Sequence, residues 1–202
     1  MVKAYTKFGS ILELHYNTHS HASLNPDKLN NVTSYHSNIY SIKKYIINNN
    51  IMKWITREHA KVDRIACPWL IKNFIDKDAE FYFVAAHKVI EISQEQNAIP
   101  FDIPNVELGH HGEECSFDAI LKKYELDKKE PALLELAKIV RAADTPNRSL
   151  TPYSEALAAL ASGFSIISKD DHDNMTKQFY VYDALYAFCK SDNKEKLLTS
   201  RH

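Results

Sequence analysis

Trp54-Ile55-Thr56, then the run from Asp63 through Ile65-Ala66-Cys67-Pro68-Trp69-Leu70 to Phe74, then Glu80-Phe81-Tyr82-Phe83-Val84-Ala85 form the stretch on which the fold turns. The first piece is aromatic and β-branched and reads as a short strand. Asp63 is placed to cap a helix running to about Ile75. Ile65, Ala66, Trp69, Leu70 and Phe74 recur at three- and four-residue spacings and give that helix one apolar face. Pro68 suits such a helix only if the helix starts near Cys67 or kinks there. Residues 80–85 are aromatic and β-branched in character and read as a second strand.

Working outward, residues 87–96 suit a short helix, and Pro100 and Pro104 bracket an extended loop. Residues 106–108 could form another short strand leading into His110-His111-Gly112. Helical patterns then dominate, over 115–124, 132–143, 152–161 with Gly163 as its stop, and 174–189. Met175, Phe179, Tyr182 and Tyr186 carry the spacing of the last one. The expected fold is α+β: a mostly helical single domain with a small β-sheet, covering 52–202. Residues 1–51 are rich in Asn, Ser, His and Tyr and lack a long periodic face, so a poorly structured extension is expected there. Within it, 41–47 could be helical, and His15, His19, His21 and His36 resemble a metal-binding tract only by composition.

Charge narrows the partners. The 202-residue chain has a formal net charge of -1. Residues 1–51 hold five lysines against Glu13 and Asp27, so they carry +3 and leave -4 for the rest. Nothing in the body gathers nucleic acid, and DNA binding is not expected of this chain alone. Three cysteines are too few and too odd for a disulfide framework, which fits a reducing, cytoplasmic setting. No segment reads as a membrane span or a signal peptide.

The densest set of ligand-type side chains is Glu107, His110, His111, Glu113, Glu114 and Cys115, in a loop punctuated by Gly109 and Gly112. Imidazole, carboxylate and thiolate are the donors that divalent transition metals prefer. Glu107 and His110 could converge on one point, and the alternative is a solvated polar turn. Cys115 suits a ligand or a packing role at a helix start. Further on, Leu133, Ala137 and Val140 define an apolar stripe that Asp144 continues if the helix persists. A carboxylate facing the core must be paired, metal-bound or protonated. The other reading ends the helix at Ala143 and makes Asp144 part of a turn with Thr145-Pro146. Arg64 could pair with a buried carboxylate such as Asp144 or hold an oxyanion, and Arg57, Arg64 and Arg141 would make an anion site if they met. Cys67 reads as a core thiol, and Asp183 as a surface residue. The metal set taken forward is Glu107, His110 and Asp144, with Asp63, Arg64, Cys115 and Arg141 as anion-binding or supporting groups.

Trp54-Ile55-Thr56-Arg57, Val62-Asp63-Arg64-Ile65-Ala66-Cys67-Pro68-Trp69-Leu70-Ile71, Pro100-Phe101-Asp102-Ile103-Pro104, Val106-Glu107, Cys115-Ser116-Phe117, Ile139-Val140-Arg141-Ala142-Ala143-Asp144 and Tyr182-Asp183-Ala184-Leu185-Tyr186 occur in that order. Together they resemble the C-terminal domain of the ChrB chromate-resistance proteins, over about residues 52–190. The resemblance implies a chromate-resistance-associated domain, found alone or behind a regulatory N-terminal region that residues 1–51 are too short and Asn-rich to supply. Lys61 departs from the histidine frequent in that family before Val-Asp-Arg, and Pro68 from a small residue. Three functions follow as expectations: a sensor or accessory module of metal stress that binds a divalent ion, a metal-dependent redox or hydrolytic enzyme using the same site, or an interaction domain without a site. Histidine, carboxylate and thiol suit a cation better than chromate itself, which needs Arg, Lys or helix N-termini.

Overall fold

The computed structural model describes residues 51–146 and 148–199. The expected extension over 1–51, with its histidines and its 41–47 helix, lies outside the described residues, Ile51 apart. Among the described residues there are six α-helices and one three-stranded sheet, an α+β domain as its sequence pattern predicts.

Strand β1 (Lys53–Arg57) is central, flanked by β2 (Glu80–Val84) and β3 (Ile99–Pro100), with both pairings parallel. Parallel neighbours require crossovers. Helix α1 (Asp63–Phe74) connects β1 to β2, and α2 (Val89–Gln96) connects β2 to β3. Successive side chains on a strand point to opposite faces. Trp54, Phe81 and Phe83 accordingly join the main core, while Ile55, Tyr82 and Val84 join a smaller one with Val89, Ala98 and Ile103. The main core is completed by α1, α3 (Ser116–Lys123), α4 (Pro131–Asp144), α5 (Ser154–Ile167) and α6 (Asp171–Thr199). Helix α6 packs on α1, α4 and α5.

Several expectations are revised. Residues 106–108 form no strand; Phe101 and Leu108 make one isolated bridge inside a folded loop. Helix α5 runs through Gly163 to Ile167, because nothing there demands a left-handed turn. Helix α6 starts three residues before Asn174 and ends ten after Cys189. Pro68 lies within α1 and neither starts nor ends it, with Cys67, Pro68 and Trp69 all buried around it. Asp183 is exposed, as expected, and its Oδ1 in addition accepts a 2.7 Å hydrogen bond from the Trp69 indole. The indole N–H of a buried Trp needs an acceptor, and α6 carries one across.

Candidate metal centre

In a parallel sheet all strands end at one edge, and that edge is where α/β proteins place their sites. Here β1 ends at Arg57, β3 runs into Phe101-Asp102, and α1 begins at Asp63.

Asp63 is fully buried and opens α1 without capping it. Its carboxylate turns instead to α3, accepting from the N–H groups of Ser116 (2.8 Å, to Oδ2) and Phe117 (3.1 Å, to Oδ1). It thus satisfies two donors that a helix start leaves open, from another element. The Cys67 thiol also points at Oδ1, at 3.4 Å. The loop before Asp63 is fixed from α6: Asp171 accepts from the N–H groups of His59 and Ala60, Asn174 donates to the Ala60 carbonyl, and Tyr182 donates to the Val62 carbonyl.

Asp144 closes α4, so the helix does persist through it, and Thr145 takes the extended backbone that precedes Pro146. Its side chain is 23% exposed, and its Oδ1 lies 3.4 Å from the Asp63 N–H. Between the two carboxylates stands His110, 40% exposed. Its Nε2 is 3.5 Å from Asp63 Oδ2, 3.5 Å from Asp144 Oδ2 and 3.1 Å from Asp102 Oδ1. The loop delivering His110 folds back on itself, with Asp102 N–H bonded to the Leu108 carbonyl and Gly109 N–H to the Val106 carbonyl. Asp102 adopts a positive φ of 49°, which aspartate tolerates better than most residues.

Asp102 was not singled out from the sequence, and it is the hub of the site. Its Oδ1 faces His110, while its Oδ2 pairs with Arg57 Nη2 at 3.2 Å and Arg64 Nε at 3.1 Å. The Arg64 Nη1 donates to the carbonyls of Arg57 and Glu58, so this arginine ties the end of β1 to the Asp102 loop and does not pair with Asp144. The Pro100–Pro104 bracketing was the sequence signal near Asp102, but its contacts depend on strand pairing.

Electrostatics follow from this crowding. Hydrogen bonding to Asp102, then to Asp63, pushes His110 up to about 10, so in the metal-free protein Nε2 carries a proton among its acceptors. Burial, and then the charges of Asp63 and Asp102, raise Asp144 to about 6. Burial is also the main cause of the raised Cys67 and Cys115 thiols, and of the lowered Arg64.

Of the residues proposed from sequence, His110 and Asp144 come together, and Asp63 joins them. Among the described residues these three offer ligand atoms within 4.8 Å of one another. A tetrahedral ion with bonds of about 2.1 Å has donor atoms roughly 3.4 Å apart, close to the His110 spacings. Glu107 is not brought in. It is 68% exposed and pairs with Lys123, because it faces away along the outer side of the loop. Arg141 does not meet Arg57 and Arg64: its guanidinium grips Asp118 at 2.8 and 3.0 Å, joining α4 to α3. Cys115 sits at the N-cap of α3, buried, its Sγ 3.4 Å from Asp118 Oδ2, and is not one of the three clustered ligand residues. His111 bonds the Glu107 carbonyl, and Glu114 pairs with Lys122.

The model of the ChrB C-terminal domain family matches residues 54–189. The chain is similar to Protein ChrB of Cupriavidus metallidurans, at 31% identity over 143 residues, which is 70% of this chain and 42% of that relative. It therefore spans less than half the length of the curated relative it matches. No solved structure matches it. Every element that builds the Asp63, His110 and Asp144 cluster falls inside the matched span, and the chain belongs to the ChrB C-terminal domain family.

Proposed function

We propose that this chain is a metal-binding module of the chromate-resistance response, acting as a sensor or accessory domain. The observation that carries the reading is an imidazole nitrogen 3.1–3.5 Å from three carboxylates, two of which can serve with it as ligands. A cation is needed at that point, and without metal the His110 proton supplies it. A divalent ion replaces that proton with a larger charge, using one nitrogen and two carboxylate oxygens, a donor set suited to Zn2+ or Mn2+. Asp63 is held by backbone N–H groups, the kind of supporting contact that metal ligands usually have.

Metal titration of protein purified without an affinity tag tests this. One equivalent of Zn2+ or Mn2+ should bind, and His110→Ala or Asp144→Asn should weaken it by about tenfold or more. Glu107→Gln should leave the affinity alone. Full metal uptake by His110→Ala would sink the reading.

A metal-dependent enzyme remains the second reading, favoured by one observation: His110 lines a cavity of about 400 Å³, so a ligand can approach the centre from solvent.

A further inference from the structure

That cavity is lined by Arg57, Asp102, Ile103, Pro104, Asn105 and His110. Its volume suits a small molecule. The two arginines that pair with Asp102, of which Arg57 lines the cavity, differ in how far their charges are already committed. Arg64 is 19% exposed and spends its guanidinium on Asp102 and two backbone carbonyls. Arg57 is 37% exposed and spends only Nη2, on Asp102, among the described residues.

Charge then depends on what the centre holds. Six groups touch one another: Asp63, Asp102, Asp144, His110, Arg57 and Arg64. The three carboxylates and two guanidiniums sum to one negative charge, and a divalent ion turns that sum to one positive charge. Loading leaves one positive charge in excess, beside a cavity whose least committed side chain is an arginine. Three protein ligands also leave the ion short of a full shell.

We propose that the metal-loaded site takes a small anionic ligand with oxygen donors, a carboxylate or a tetrahedral oxyanion, seated in this cavity between the ion and Arg57. The inference rests on the metal reading and adds the class of ligand to it. The ion holds one side of the anion and Arg57 the other, so metal and anion bind cooperatively. Arginine offers the planar paired donors that such ligands use. Asn105 supplies a neutral polar group at the same wall, and Ile103 and Pro104 supply apolar contact.

The test uses the full chain loaded with Co2+, whose visible spectrum reports its coordination. Oxalate and phosphate are titrated separately, into cobalt-loaded and metal-free protein. Oxalate probes a planar dicarboxylate, phosphate a tetrahedral ion. The expected result is a saturable spectral change with at least one of the two, and calorimetric binding of that anion at least tenfold tighter in loaded than in metal-free protein. Arg57→Gln, loaded with saturating cobalt and shown folded by circular dichroism, should lose about tenfold in anion affinity, and Arg57→Lys should recover part of it. A normal cobalt spectrum that neither anion moves overturns this inference and leaves the metal reading standing. Equal anion binding with and without metal overturns it as well. Failure to take up cobalt overturns both.

Discussion

At the scale of single residues, Asp63 shows how one side chain can hold several jobs. As the first residue of α1 it stands where a capping aspartate is common, yet its oxygens serve the start of α3. Asp63→Asn keeps the shape but offers one acceptor oxygen where two N–H groups are pointing. A loss of about 1–2 kcal/mol is expected, read from urea unfolding of metal-free protein. Metal affinity should fall together with it. His110 gives a pH signature. Its folded pKa is raised from 6.5 to about 10, so its contribution to stability is full below pH 6.5 and is lost as pH rises through about 10. Asp144 is also raised, from 3.8 to about 6, so its protonated form favours folding below pH 3.8 and that contribution fades through about 6. Metal-free protein should thus lose stability between pH 7 and 10, and His110→Gln should flatten that slope. A urea midpoint that does not move over this range in the parent protein would contradict the placement of His110.

At the scale of elements, two glycines make opposite predictions. Gly109 lies where the His110 loop doubles back, and a β-carbon there would stand 2.6 Å from the Ile103 carbonyl oxygen. Gly109→Ala must push that backbone aside, so it should destabilise the fold and weaken metal binding by displacing His110. Gly163 lies inside α5 with open space where a β-carbon would go. Gly163→Ala should therefore stabilise by about 0.5–1 kcal/mol, with metal affinity unchanged. A destabilised Gly163→Ala would mean the helix does not pass through that position.

At the scale of the whole molecule, the centre is made by elements distant in the chain: Asp63 from α1, Asp102 and His110 from the loop after β3, and Asp144 from the end of α4. An ion bound only when these are assembled stabilises the folded state by mass action. Loading should raise the melting temperature, and a chelator should reverse the rise. Because His110 must shed its proton to become a ligand, uptake at pH 7 should release about one proton, and affinity should climb about tenfold per pH unit up to pH 9. The two effects cancel between pH 6.5 and about 10, so the loaded protein holds its stability over the range where the metal-free protein loses it. Among the described residues no helix is long and apolar enough to cross a membrane.

The sequence by itself determined the parts of this protein that depend on local periodicity and composition. Two strands, the four long helical patterns, the mostly helical character and the family likeness were all legible, since spacing of apolar residues reports which face is buried wherever the fold is regular. His110 was legible as a candidate because it lies in the densest set of ligand-type side chains, and Asp144 because an acid on an apolar stripe is costly to bury without a partner. Only the tertiary structure decided which acids join them. Glu107 is three residues from His110 and points away, whereas Asp63 and Asp102 are 47 and eight residues from it in sequence and meet it in space. Parallel strand pairing brings the ends of β1 and β3 to one edge, and that long-range registration leaves no mark in the local sequence around any of the residues it gathers.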